Sequence, residues 1–131
     1  MPDLPTVAEA GQLTQSWMLA LRAERKSDQT LKTYGDAVRF YLAWCAERAV
    51  EPFLRSSLNL WVAELLDAGA AASTARSRQL GVRRFAAWLA EEGELASDPF
   101  LGVKSPKLDE RVIEPLTDDE LRRLLKACQP P

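Results

Sequence analysis

The sequence predicts an all-α protein: a four-helix bundle, then an extended linker, then a fifth helix. Three observations carry this. Apolar residues recur at three- and four-residue intervals through successive segments, and no run alternates in the period-two manner of a strand. Polar cap residues and glycines bracket those segments. All but one of the eight prolines lie before residue 6 or from residue 99 onward, which leaves the middle free for helices.

The first helix opens at Thr6-Val7-Ala8-Glu9, a capping-box pattern. Leu13, Trp17, Ala20 and Leu21 follow at helical spacing, and the pattern ends near Arg25. Ser27, Asp28 and Thr30 are cap candidates for a second helix, whose stripe is Leu31, Tyr34, Val38, Tyr41, Leu42 and Cys45. Ser56 and Ser57 are expected to cap a third, which runs through Leu58, Trp61, Val62, Leu65 and Leu66 to a stop at Gly69. Ser73 or Thr74 is expected to cap a fourth, ended by Gly93.

The stretch that follows holds Asp98-Pro99-Phe100, Lys104, Pro106, Lys107 and Pro115, and reads as an extended linker. Thr117 and Glu120 then form another capping box, with Leu116 and Leu121 as a hydrophobic staple. The expected organisation is a helical domain over residues 1–95, a linker over 96–116, and over 117–131 the first helix of a further, truncated domain. The alternative is that this last helix folds its Leu121, Leu124, Leu125 and Cys128 face back onto the bundle.

Composition excludes several classes. The 131 residues are 47% hydrophobic and 27% charged, ordinary for a globular chain. No apolar run approaches the length of a membrane span, and the N-terminus lacks the pattern of a signal peptide, so a cytoplasmic location is expected. Two cysteines, Cys45 and Cys128, fall at apolar helical positions and read as buried, reduced thiols. With no histidine, neither a zinc site nor an imidazole base is expected.

The net charge of -2 conceals a segregation. Residues 73–90 contain Arg76, Arg78, Arg83 and Arg84 and no acid, whereas residues 91–98 contain four acids and no base. On a wheel of about 100° per residue, Ala75, Val82, Phe85, Ala86 and Leu89 form the core face. Arg76, Ser77, Leu80, Arg83 and Arg84 form the exposed one, and Arg78 falls nearer the apolar side. No Asp or Glu stands four residues before any of these arginines, so intrahelical pairing does not account for them. An unneutralised cationic helix in an acidic protein points to a polyanion. Lys26, Thr30, Lys32 and Thr33 at the start of the second helix suit a phosphate as well, although simple capping with a Lys32–Asp36 pair would give the same pattern.

Several motifs occur in a fixed order: Thr30-Leu31-x-x-Tyr34, Tyr41-Leu42-x-Trp44, Ser73-Thr74-Ala75-Arg76-Ser77-Arg78, Val82-Arg83-Arg84-Phe85-x-x-Trp88-Leu89, Asp98-Pro99-Phe100, Pro106-Lys107 and Leu116-Thr117-x-x-Glu120. The ordered set, spanning residues 13–128, resembles the N-terminal core-binding domain of tyrosine site-specific recombinases, the phage-integrase and Xer-like group. The resemblance implies a SAM-like four-helix bundle. Two of its helices, matched here to the second and fourth, cross duplex DNA at the major groove, and the linker leads to a catalytic domain on the opposite side. By motif, Thr30, Lys32 and Thr33 would contact phosphates, Arg76, Ser77, Arg83 and Arg84 would face the duplex, and Lys104 and Lys107 would reach phosphates from the linker.

The family's chemistry uses a tyrosine nucleophile with an arginine pair, a lysine and histidines, none of which can be matched in this chain. Tyr34 and Tyr41 belong to the apolar stripe of the second helix. The resemblance therefore implies a DNA-binding, non-catalytic part of a recombinase used in DNA integration or recombination. Its partners are double-stranded DNA and other recombinase protomers on the same DNA. No cofactor, metal, membrane or small-molecule ligand is expected. No separate small domain is expected ahead of the first helix, and the resemblance then implies a simple, Xer-like or short-integrase layout. The alternatives are a non-catalytic helical DNA-binding regulator and a protein-interaction bundle that uses the fifth helix.

Overall fold

A computed structural model describes residues 4–108. Four helices fill it: α1 (Val7–Ala23), α2 (Asp28–Arg48), α3 (Arg55–Asp67) and α4 (Ala72–Glu91). No strand occurs among the described residues. The expected fifth helix at 117–131, with Cys128, lies outside them.

Local chemistry explains most of the boundaries. Thr6 caps α1 as expected: its hydroxyl accepts the Glu9 N–H at 3.2 Å and donates to the Glu9 carboxylate at 3.1 Å. Ser27 caps α2 by accepting the Thr30 N–H at 3.1 Å. Gly69 and Gly93 follow α3 and α4 at φ of 99° and 83°, left-handed values that favour glycine.

Two helix starts differ from expectation. α3 begins at Arg55 with Leu54 in the cap position, and Ser57 is buried in its first turn. α4 begins at Ala72 with Ala71 in the cap position, so Ser73 and Thr74 are already helical. Neither helix has a side-chain cap.

α2 and α4 make the most extensive helix pair, and α1 and α3 pack around them. Gly81 lies against Tyr34 and Ala37, and Arg78 against Phe40. At Gly81 an added Cβ would stand 2.6 Å from the Cβ of Ala37, and only a residue without a side chain permits that approach. The core is aromatic. Trp17 stacks on Tyr34 at 5.6 Å between centroids and packs on Phe85 at 5.2 Å; Tyr41 packs on Trp61 at 5.0 Å.

The chain after α4 is not freely extended at its start. Leu95, Phe100 and Val103 are buried in the bundle core. An Asp98 carboxylate oxygen accepts the Phe100 N–H at 3.0 Å, which turns the chain after the Asp-Pro step. Residues 95–105 thus form a strap laid back over α3 and α4.

Candidate nucleic-acid interface

The wheel reading of α4 holds for the core face and in part for the exposed one. Ala75, Val82, Phe85, Ala86 and Leu89 are buried, Arg76, Leu80 and Arg84 are exposed, and Ser77 and Arg83 are half-buried. Arg78 turns aside as anticipated, its guanidinium 4.3 Å from the centroid of the Phe40 ring. Two ion pairs occur among the described residues, Arg39–Asp36 at 3.0 Å and Arg48–Glu64, and neither involves an α4 arginine. Glu24 and Glu91 do line a pocket of about 260 Å³ with Lys26 and Arg84, without closing to ion-pair distance.

Beside Arg78, α2 and α4 border a polar cleft of about 300 Å³ lined by Thr33, Asp36, Ser73, Thr74, Ser77 and Arg78. Three features of this cleft suit an oxyanion. The cap residue of α4, Ala71, leaves the amides of the first turn without a side-chain acceptor. That turn carries no acid to occupy its positive end. Three serine and threonine hydroxyls from α4 and one from α2 line the wall. Asp36 opposes this, and pairs with the exposed Arg39 at 3.0 Å.

The expected contacts on α2 are divided. Thr33 lines the cleft opposite Ser77 and accepts a hydrogen bond from the Gln29 amide at 3.2 Å. Thr30 serves the helix start: its hydroxyl accepts from Ser27 at 2.9 Å. Lys32 is exposed and does not line the cleft, and the alternative Lys32–Asp36 pair does not form, since Asp36 turns to Arg39.

The strap brings Lys104 to α4. Gln79 donates from Nε2 to the Lys104 carbonyl at 3.2 Å, and Arg83 donates from Nη1 to the Ser105 hydroxyl at 3.4 Å. Arg55 donates to the Leu101 carbonyl at 3.1 Å. Lys104 and Lys107 are both exposed. Gln79 was not legible as a site residue, because nothing in its sequence neighbourhood distinguishes a buried amide from a solvated one. Lys26, which the sequence marks as suited to a phosphate, sits on the rim of the Arg84 pocket, and Ser73 and Thr74, read from the sequence as cap candidates, line the cleft.

No described group of three or more His, Cys, Asp or Glu side chains could hold a metal, and no described helix is long and apolar enough to cross a membrane. Tyr34 is stacked on Trp17, and the Tyr41 hydroxyl donates to the buried Pro52 carbonyl. Burial above all raises the ionisation of Tyr41 far beyond the ordinary phenol range, the opposite of activation. Burial also pushes the Cys45 thiol up to about 11, against a lowering contribution from the Tyr41 hydroxyl.

A family model described as the phage integrase N-terminal SAM-like domain matches residues 14–93. The chain belongs to this integrase family. It is also similar to the protein named tyrosine recombinase XerC of Mycobacterium sp. (strain KMS), with 34% identity over 114 residues that cover 84% of this chain. The protein of that name from Mycobacterium tuberculosis (strain CDC 1551 / Oshkosh) is 32% identical over 113 residues that cover 85% of the chain. The chain spans 38% of the length of each of these relatives. No solved structure matches it significantly. Within this integrase SAM-like domain, the matched segment runs from the interior of α1 to Gly93, so the strap that carries Lys104 falls outside it.

Proposed function

We propose that this chain is the DNA-clamping, N-terminal part of a tyrosine recombinase. It grips duplex DNA with the cationic face of α4, the α2–α4 cleft and the lysines of the strap. The observation that carries this reading is the face formed by Arg76, Arg83 and Arg84, which has no carboxylate within ion-pair distance among the described residues. Guanidinium groups left unpaired in this way remain available to phosphates, where charge-assisted bonds form and counterions are released. The hydroxyl-lined cleft and the uncapped start of α4 add neutral and dipolar donors of the kind that fix register on a duplex.

In this proposal the chain supplies binding and orientation. Phosphoryl transfer, and contacts with other protomers on the same DNA, belong to the longer protein. Likeness to tyrosine recombinases is what favours this over a stand-alone regulator, which would rest on the same arginines alone.

The test is the salt dependence of duplex binding by the 131-residue chain. A log–log slope of about -0.9 per phosphate contacted is expected. Arg76→Ala removes an exposed side chain with no partner among the described residues, and should shrink the slope by about 0.9 with the thermal midpoint unchanged. A chain that shows no salt-sensitive duplex binding at low ionic strength ends the proposal.

A further inference from the structure

We infer that Gln79 is a positioning residue for DNA binding: it holds the strap against α4 so that Lys104 joins the cationic face beside Arg83. The inference rests on the DNA-clamping reading and adds to it a residue that touches no DNA.

Gln79 lies on α4 between the core face and the arginine face, and is 2% exposed. A buried amide is costly unless it is hydrogen-bonded, so its presence needs a partner that cannot easily be replaced by water. Its Nε2 has one, the backbone carbonyl of Lys104, 25 residues away. Its Oε1 has none among the described residues. An apolar side chain of similar size would fill the same space without leaving an oxygen unsatisfied. What it would lack is the single directional bond from α4 to the strap.

That bond acts at the right place. Upstream, the strap is fixed by the burial of Phe100 and Val103, by the Val103 N–H donating to the Phe100 carbonyl at 3.1 Å, and by Arg55 on the Leu101 carbonyl. Gln79 grips the next residue, at the last point before the chain leaves the core. Beyond it, the remaining tie is the long contact from Arg83 to Ser105, made by a side chain that DNA phosphates would compete for. Without Gln79, no hydrogen bond among the described residues ties the strap beyond Val103 to α4 once Arg83 turns to the duplex. A long, flexible lysine loses less freedom on binding a phosphate when its backbone is already fixed.

The experiment uses the full chain with Gln79→Met, which keeps the volume and removes the donor. Two quantities are read: the salt slope of duplex binding and the hydrogen-exchange rate of the Val103 amide. The expected result is a slope smaller by about 0.9, one phosphate contact, together with faster exchange at Val103 and helical content unchanged. Lys104→Ala should reduce the slope by a similar amount in the parent chain and by nothing further in the Gln79→Met background. That loss of additivity would not arise from a merely structural role.

Gln79→Ala serves in the same way if methionine is not accommodated. An unchanged slope in a folded Gln79 variant, or a Lys104→Ala effect that survives in that background, overturns the inference. If the parent chain itself shows no salt-sensitive binding, the clamping reading falls. The exchange rate alone then decides the anchoring: acceleration upholds it and an unchanged rate overturns it.

Discussion

Replacing Gly81 with alanine tests the α2–α4 contact on which the candidate interface is built. An ideal Cβ there meets the Ala37 Cβ at 2.6 Å and the Tyr34 Cα at 3.4 Å, and the first of these neighbours is a short side chain with no rotamer to yield. Carbon atoms in contact prefer about 3.5–4.0 Å, so the two helices must separate by roughly 1 Å. Overpacking of this kind costs about 1–3 kcal/mol. Alanine also restricts the unfolded chain and favours helix, which offsets about 0.4–1 kcal/mol. The net expectation is a loss of about 1–2 kcal/mol, a fall in thermal midpoint of roughly 4–9 °C for a domain of this size.

Urea unfolding of the full chain should show a lower midpoint at an unchanged m-value. Gly11 is the internal control. It lies within α1 and an added Cβ meets nothing within 4 Å, so Gly11→Ala should stabilise by about 0.5–1 kcal/mol. A Gly81→Ala chain as stable as the parent would refute the claim that a side-chain-free position sets the α2–α4 spacing.

Two further outcomes follow from the buried polar groups of the core. Tyr41→Phe leaves the buried Pro52 carbonyl without its donor and should cost about 1–3 kcal/mol in denaturant unfolding, with no change in the salt slope of DNA binding. At alkaline pH, Cys45 and Tyr41 keep their protons in the folded state after the unfolded chain has lost them, because both ionisations are raised by burial. Stability should therefore be level below the ordinary thiol value of 9.0 and fall above it, as first Cys45 and then Tyr41 ionise in the unfolded chain. The slope approaches about 1.4 kcal/mol per pH unit for each group. Midpoints measured across that range check it, and a stability that rises with pH there would contradict the buried placement.

How much was legible in advance varies by residue. The capping box at Thr6 and the stops at Gly69 and Gly93 were visible because caps and left-handed glycines act within a few residues. The arginine face of α4 was visible because helical period converts spacing into direction. The starts of α3 and α4 were misplaced by the rule that serine and threonine cap helices, since Leu54 and Ala71 occupy those positions without any side-chain bond. Thr30 was legible as a cap candidate, and its hydroxyl accepts from Ser27 at the start of α2.

The amino-acid order alone determined the helical character of the described residues, where the charge lies along the sequence and which face of α4 is cationic. These are consequences of backbone hydrogen bonding and periodicity over a few turns. Only the tertiary structure decided which residues from distant segments share that surface. It set Thr33 opposite Ser77 across a cleft, turned Arg78 onto Phe40, closed α2 on α4 at Gly81, and bound the Lys104 carbonyl to Gln79. Each of these juxtapositions joins residues with no local signal for one another. They exist because burying one shared aromatic core draws the four helices and the strap together.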